Sequence, residues 1–173
     1  MKKISLSLFA LICLLSFTNA QKIAFFNIDK IMDKMAEVKA ANAELDAKSK
    51  ELQQLVDAKF KQLDGMYQDY IKNQDIYSGD MKKLKQDEII NFEKSAKMFR
   101  DSIFGGEGEM AKLQAAKFQP IYDTIFSVAK RIGISNGYDY VLENTPDSQW
   151  IYLNPDYDIT GLIKKGLGIK EDE

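Results

Sequence analysis

The residues of this 173-residue sequence that could do chemistry are acidic side chains and one cluster of glycines. Asp87-Glu88 or the terminal Glu171-Asp172-Glu173 could bind calcium or transfer protons. Neither group has the spacing of an EF-hand loop, and adjacent helical residues do not face one another. We therefore expect solvated surface charges at both places.

The glycine cluster, Gly105-Gly106-Glu107-Gly108, is too irregular for a phosphate-binding loop and is not followed by the Gly-Lys-Ser/Thr signature. The sequence also has no histidine, the usual general base near pH 7 and the commonest transition-metal ligand. We predict a non-enzymatic protein with no catalytic residue, cofactor or metal. An enzyme that uses carboxylates alone would require a preformed pocket with converging acidic residues.

The first twenty residues predict a secretory signal peptide. Met1-Lys2-Lys3 is basic, residues 4–17 are mostly apolar, and the small Ala20 places the cleavage site before Gln21. The alternative is a membrane anchor, but the apolar run is shorter than the roughly 20 residues that span a bilayer. A lipid anchor is not expected either, because Ile12 rather than a small residue precedes Cys13.

Cleavage would remove Lys2, Lys3 and the only cysteine, and would change the net charge from −2 to −4. An acidic protein has no overall basic field with which to wrap nucleic acid. No later stretch is long and apolar enough to cross a membrane as a helix. We expect a soluble protein outside the cytoplasm, without a stable membrane anchor and held together by burial, helix packing or oligomerisation.

Residues 21–119 contain no proline, so a long uninterrupted helix is possible. Residues 31–73 follow the alternating 3-4 spacing of a coiled coil, which predicts a helix from about residue 30 to 75. Nine of the thirteen seam positions are apolar. All thirteen are Ile31, Met35, Val38, Asn42, Leu45, Ser49, Leu52, Val56, Lys59, Leu63, Met66, Tyr70 and Asn73.

Turn-forming residues at 74–80 interrupt this pattern, and a second seam runs from Lys85 to Lys117. Two helices joined by a short turn form an antiparallel hairpin. We predict a projecting hairpin arm over residues 31–119 with its tip near 74–80. A helix of this length, roughly 70 Å at 1.5 Å per residue, would leave many apolar side chains partly exposed to water.

The two ends of the chain have the composition of short strands. Residues 22–28, 138–143 and 150–153 are rich in aromatic and branched side chains, and residues 144–147 favour a turn. Strands from both ends must meet, because an isolated two-stranded hairpin is marginally stable. We predict a β-rich oligomerisation body from residues 21–30 and 120–173, with a helix that starts at Pro120 and a last helix from Asp158 or Thr160.

Apolar and aromatic side chains in these strands are the assembly candidates. The tyrosines and the tryptophan could stack on a ligand, but their strand spacing favours packing in a core. The candidates are Ile23, Phe25, Phe26, Ile28, Tyr138, Tyr140, Val141, Trp150 and Tyr152.

Apolar residues crowd the predicted tip of the hairpin. Two packed helices need only the seam positions, so Tyr67, Ile71, Ile76 and Tyr77 are surplus. They could form a hydrophobic plug or an adaptable apolar surface for extended polypeptide segments, since Met and Tyr offer contact area without demanding one shape. The contact candidates are Met66, Tyr67, Tyr70, Ile71, Ile76, Tyr77 and Met81.

The glycine cluster lies inside the second helical pattern, where each glycine costs roughly 0.5–1 kcal/mol relative to alanine. Three glycines within four residues should loosen or break the helix. The segment is either a local kink without a role or a hinge. The hinge candidates are Gly105, Gly106 and Gly108.

The sequence resembles the Skp/OmpH family of periplasmic chaperones. The resemblance is carried by KIAFFNIDKIM at 22–32, PIYDTIFSVAKRIGISNGYDYVLE at 120–143 and IYLNPDYDITGLIKKGLG at 151–168. It implies a homotrimer in which three subunits form a small β-barrel and three helical arms enclose a cavity. Family members hold unfolded outer-membrane proteins in that cavity without ATP.

One departure from the family pattern concerns charge, because the family's best-known arms are strongly basic. Residues 30–110 hold 14 basic and 16 acidic side chains. Electrostatic capture of acidic clients is therefore weakened, and apolar contacts should contribute more.

Taken together, the sequence predicts an α+β, mostly helical fold, with a long antiparallel coiled-coil hairpin and a small β-rich trimerisation body. The predicted function is an ATP-independent periplasmic holdase whose partners are its own copies and unfolded outer-membrane proteins, with no nucleic acid bound. The alternative is a structural coiled-coil spacer or scaffold of the cell envelope.

Overall fold

The structure is a computed structural model that describes residues 21–170, so the predicted signal peptide and the acidic tail at 171–173 lie outside the described residues. The elements, in chain order, are β1 (Ile23–Phe26), α1 (Ile28–Met32), α2 (Ala36–Asn73), α3 (Gly79–Phe104), α4 (Glu109–Ser135), β2 (Tyr140–Glu143) and α5 (Thr160–Gly166), with 3-10 turns at Gln74–Ile76 and Pro155–Tyr157. None of the described helices combines the length and the apolar character needed to cross a bilayer.

The described chain forms two compact units. Residues 33–124 form one, here called the hairpin unit. The described residues of the other, 21–32 and 125–170, are called the sheet unit. The fold class is the predicted one: two long helices and a third make up most of the chain, and the sheet is small.

In the hairpin unit, α2 and α3 pack against each other along the two predicted seams. Leu52, Val56 and Leu63 are buried on α2, and Ile89 and Ile103 are buried on α3. The 3-4 spacing brings these side chains to one stripe of each helix, where they exclude water. Near the start of α2 the buried stripe departs from the predicted seam by one residue: Ala41 is buried, whereas the predicted seam residue Asn42 is exposed.

The long helix begins later than predicted. Residues 33 and 34 form a turn, and Met35 is extended with φ −80° and ψ 128° before α2 starts at Ala36. Ile28 and Ile31 instead belong to the short helix α1 and are buried in the sheet unit. One continuous pattern in the sequence therefore spans two separate packing environments.

The tip of the hairpin lies where the sequence places it. After the 3-10 turn at Gln74–Ile76, the hydroxyl oxygen of Ser78 accepts a hydrogen bond from the backbone N–H of Met81 at 3.3 Å. This N-cap satisfies a donor that the first turn of α3 cannot satisfy by itself.

The glycine cluster breaks the second helix, as predicted, since α3 ends at Phe104 and α4 begins at Glu109. The prediction that Pro120 starts a helix is wrong, because Pro120 lies inside α4. Proline removes one backbone hydrogen bond to the carbonyl four residues earlier, that of Ala116. Both Pro120 and Ala116 are exposed, so water can hydrate that carbonyl, while burial of Ile121 and Ile125 holds the helix together.

Strands from the two ends of the chain do meet in the sheet unit. β1 and β2 are parallel, with Ile23 opposite Tyr140 and Phe26 opposite Glu143. On its other side, β1 makes a bridge through Phe25 to Asp158. Parallel strands need a long crossover connection, which here consists of all the intervening helices.

The core of the sheet unit contains the largest fully buried side chains described, Ile31, Ile125, Ile159 and Ile163. A partly buried polar network beside this core fixes the start of α5. The Asp158 carboxylate accepts hydrogen bonds from the backbone N–H and the hydroxyl of Thr160, at 2.8 and 2.5 Å. The Thr160 hydroxyl oxygen in turn accepts from the backbone N–H of Asn27 at 2.9 Å.

The predicted third strand at residues 150–153 is wrong, because the chain has no strand there. A strand needs a neighbour to satisfy its backbone groups, and among residues 21–170 no partner strand pairs with the segment. The other two strands are shorter than predicted: Ile28 belongs to α1, and Tyr138 precedes β2.

Candidate functional site

Burial divides the predicted tip cluster into two groups. Met66, Tyr70 and Tyr77 are partly buried and pack near one another, with the rings of Tyr70 and Tyr77 centred 6.3 Å apart at 37°. The Tyr70 hydroxyl oxygen accepts a hydrogen bond from the Gln86 side-chain amide at 2.8 Å, which ties α2 to α3. This group has the character of the predicted plug.

The second group remains in contact with solvent. Tyr67 and Met81 are about two-fifths exposed, Ile71 is 57% exposed and Ile76 is 80% exposed. The 3-10 turn that carries Ile76 has no buried residue, which explains why this side chain finds no cover. These four residues have the exposure that a client-contact surface needs.

The sequence reasoning missed two members of this surface, Leu84 and Ile90, which are 53% and 59% exposed. Leu84 follows Met81 at the i+3 spacing of one helix face, so helical periodicity could have identified it. Six of the nine exposed large apolar side chains described in the hairpin unit lie between residues 67 and 90. We call these six the tip surface, although Met81 and Ile90, nine residues apart, lie on opposite sides of α3: Tyr67, Ile71, Ile76, Met81, Leu84 and Ile90.

Tyr67 is held in place across the two helices by a charged pair. Its hydroxyl donates to Glu93 at 3.2 Å, and the Lys97 ammonium contacts the other oxygen of the same carboxylate at 2.6 Å. The Lys97 hydrogen bond, followed by that of Tyr67, lowers the pKa of Glu93. Partial desolvation, followed by the bond to Glu93, raises the pKa of the Tyr67 hydroxyl.

A small pocket lies on the tip beside the partly buried tyrosines. Its volume is about 240 Å³, which is smaller than the pockets that hold drug-sized ligands. One ion pair crosses its wall, with Lys85 Nζ at 2.7 Å from Glu88. The lining, here called the tip pocket, consists of Met66, Asp69, Tyr70, Asn73, Tyr77, Lys85, Glu88 and Ile89.

The three hinge candidates differ in their surroundings. A β-carbon at Gly105 would lie 2.4 Å from the carbonyl oxygen of Asp101, and one at Gly108 would lie 2.6 Å from that of Ile103. A β-carbon at Gly106 would meet nothing within 4 Å. Close backbone contact therefore explains why positions 105 and 108 are glycine. At position 106, packing leaves room for a larger side chain.

The assembly candidates of the sheet unit also fall into two sets. Phe25, Phe26 and Ile28 are buried in the core, and Tyr138 and Val141 are half-buried. The remaining candidates, Ile23, Tyr140, Trp150 and Tyr152, are exposed, and Ile151 is fully exposed. Among residues 21–170 no element covers Tyr140, Trp150 and Tyr152, so their packing in the core of an assembled barrel stays a prediction.

Across residues 21–170 there is no group of three or more acidic side chains placed to hold a metal ion. The acidic pair Asp87-Glu88 is exposed on α3, as expected for neighbouring residues of a solvated helix.

Comparison with known proteins gives two findings. A family model described as "Outer membrane protein (OmpH-like)" matches residues 22–167. The structure is similar to that of a candidate outer membrane chaperone (OmpH-like) from Caulobacter crescentus CB15, with a TM-score of 0.63 and 11% sequence identity over 86% of this chain and 84% of that one. At that identity the likeness is one of fold. Among curated proteins, none matches the sequence.

Proposed function

This chain belongs to the OmpH-like family, and on that premise we propose that it is an ATP-independent holdase chaperone of the periplasm. Its clients are unfolded outer-membrane proteins, which it binds through the hairpin units of a homotrimer and keeps from aggregating. The family match and the description of the similar structure support this chaperone role.

The observation that carries this proposal is the tip surface. Monomeric proteins rarely leave large apolar side chains grouped on their surface, and such groups mark interaction sites. The side chains at the tip are flexible or flat, and they stand on two helices that are packed by their own seams. Client binding therefore does not require the hairpin to open.

Affinity would come from many weak contacts. Each exposed side chain contributes a small apolar area, and several hairpins around one client raise the effective concentration of the next contact. Such binding tolerates varied client sequences because no single deep pocket has to be filled. The near-neutral charge of residues 30–110 is consistent with a larger apolar share in binding than in strongly basic arms.

Self-assembly is supported by the exposed apolar segment of the sheet unit. Trp150, Ile151 and Tyr152 are consecutive, and each is at least 48% exposed. Leaving such a segment in water costs roughly 25 cal/mol for each Å² of apolar area that a partner could cover. A second copy of the chain is the partner that we propose for it.

Replacing Tyr67, Ile71, Ile76 and Met81 with serine tests the proposal. We expect the purified mature variant to suppress aggregation of a denatured outer-membrane β-barrel protein less well, without nucleotide in either case. Tyr77 is left in place because it packs on Tyr70. Light scattering should show unchanged assembly.

A matched control replaces Leu55 and Met98, which are equally exposed but lie away from the tip, with serine. Full protection by the tip variant would refute the role of the tip surface. A wild-type protein that fails to keep the client soluble would favour the alternative, a structural spacer of the envelope.

The hinge belongs to the same proposal, since a bend at the glycine cluster would let the hairpins adjust to client size. Gly106→Ala is the informative variant, because its β-carbon has free space. We expect it to narrow the range of client sizes that the protein protects, and an unchanged range would count against a hinge.

A further inference from the structure

We propose that the tip pocket binds the arginine side chains of extended client segments. The pocket is distinct from the exposed tip surface and has its own chemistry, which combines aromatic rings with carboxylates. That the arginine belongs to an unfolded client depends on the proposed function, whereas the choice of arginine follows from the pocket itself.

Charge is the first reason. The ionisable side chains of the lining are Asp69, Glu88 and Lys85, together with the neutral tyrosines, so the pocket has a net charge of −1. Lys85 neutralises Glu88 through their 2.7 Å contact. The carboxylate of Asp69 is left to attract a cation from outside.

The aromatic rings are the second reason. The faces of Tyr70 and Tyr77 are electron-rich and attract cations, most of all a flat guanidinium that can stack on them. The two rings are tilted by 37° with centroids 6.3 Å apart, so they form a wedge rather than a closed stack. The Met66 side chain adds a polarisable surface to the same wall.

The balance of hydrogen-bonding groups is the third reason. The Asn73 amide nitrogen donates to the carbonyl of Asp69 at 2.9 Å, which leaves the amide oxygen of Asn73 as an acceptor. Together with two carboxylates, the lining offers more acceptors than donors. Guanidinium has five N–H donors and no acceptor, so it complements this wall better than any other side chain.

An aromatic client side chain would fit the volume of the pocket but could not hydrogen-bond to its charged groups. Its insertion would remove water from Asp69, Glu88 and Lys85 without replacing the lost hydrogen bonds, and that exchange is unfavourable. An acidic side chain would be repelled by the net charge.

Binding can be observed on the intact mature protein through the methyl signal of Met66 after labelling of methionine methyl groups. The probes are blocked pentapeptides, Gly-Ser-Xaa-Ser-Gly, in which Xaa is arginine, citrulline or norleucine. Citrulline has almost the same shape as arginine but no charge. The Met81 methyl, which is outside the pocket, serves as the internal reference.

We expect the arginine peptide to shift the Met66 signal with a dissociation constant about two- to fivefold lower than that of the citrulline peptide, the range expected for cation–π contacts at exposed sites. Asp69→Asn should weaken arginine binding about two- to fivefold, by loss of a charge-assisted hydrogen bond. Asp64→Asn removes the same charge from an exposed position of α2 outside the pocket and should have no effect.

Lys85→Met provides the sharpest test. Because Lys85 is a cation that already occupies Glu88, its removal should strengthen binding of the arginine peptide about two- to fivefold. Weaker binding by this variant, or equal binding of the arginine and citrulline peptides, would overturn the inference.

The two proposals can fail separately. Protection of clients without arginine selectivity at Met66 would refute the tip pocket and leave the holdase intact. Arginine selectivity in a protein that does not protect clients would refute the holdase and leave the pocket as a binding site of another kind.

Discussion

The two units of this protein bury their apolar residues in different ways. In the sheet unit, two strands, two short helices and part of α4 bring together residues that are more than 100 positions apart in the sequence. Four isoleucines in this core are fully buried. In the hairpin unit, α2 and α3 share one narrow seam, to which Met110 of α4 adds cover near Leu52, and most residues beside the seam are exposed.

This difference explains where binding surfaces can form. A compact core leaves few alternatives for its side chains, and changes there spread to the whole unit. A two-helix seam covers only one stripe of each helix, so the other faces are available for contacts with partners. The hairpin unit can therefore present the tip surface without weakening its own packing.

The largest effect is expected from Ile163→Ala in the sheet unit. Ile163 is fully buried, and deletion of its side chain should lower the free energy of unfolding by roughly 3–5 kcal/mol. Leu63→Ala in the seam should cost roughly 2 kcal/mol, because the neighbouring helix faces can close over the gap. Urea unfolding at one fixed protein concentration measures both, and equal costs would remove the contrast between the units.

A second effect concerns the glycine cluster. Gly105→Ala together with Gly108→Ala should lower the free energy of unfolding by roughly 2–4 kcal/mol, since each β-carbon would overlap a backbone carbonyl. Gly106→Ala is the control, and it should be neutral or slightly stabilising. If all three alanine substitutions change the melting temperature equally, close contact with backbone carbonyls is not the reason why Gly105 and Gly108 lack a β-carbon.

A third effect tests the polar network at Thr160 in the sheet unit. Thr160→Val keeps the shape but leaves the backbone N–H of Asn27 without its acceptor, which should cost roughly 1–3 kcal/mol. Thr160→Ser keeps the hydroxyl and should recover most of that loss. Chemical denaturation of the two variants distinguishes hydrogen bonding from packing at this buried position.

The smallest effect is electrostatic and belongs to the hairpin unit. Lys97→Met should raise the pKa of Glu93 towards its ordinary value, and Tyr67→Phe should raise it less, because Lys97 makes the larger contribution. The carboxyl of each variant then becomes protonated at a higher pH than in the wild type. A carbon-detected NMR titration reads this directly, and Asp64→Asn should leave the Glu93 titration where it is.

Much of the hairpin unit could be predicted from the sequence. The 3-4 spacing, the turn at 74–80 and the three clustered glycines each act over a few residues, so local patterns identify both helices and both breaks. Pro120 is the exception, because burial of Ile121 and Ile125 outweighs the lost backbone bond and the helix continues through it.

The candidate site could be predicted only in part. Seam spacing separates Ile89 from Ile90 correctly, but it does not show that Tyr77 returns to pack on Tyr70. That contact depends on the path of the turn between the helices. The tip pocket was not predicted, because it joins residues from both helices.

In the sheet unit, the structure of residues 150–153 could not be predicted from local sequence either. Their composition favours a strand, but a strand forms only beside a neighbouring strand, and residues 21–170 provide no neighbour for this segment. Their exposure is the outcome of that missing neighbour.

The amino-acid sequence by itself determined the helices, their seams, the family and the weak charge of the hairpin, since periodicity, composition and residue order are local or additive properties. Only the tertiary structure decided which tip side chains are covered, why Gly105 and Gly108 must lack a β-carbon, and how Asp69, Tyr77 and Glu88 come to line one pocket. These features depend on distances between residues far apart in the chain, which packing sets and spacing along the sequence does not.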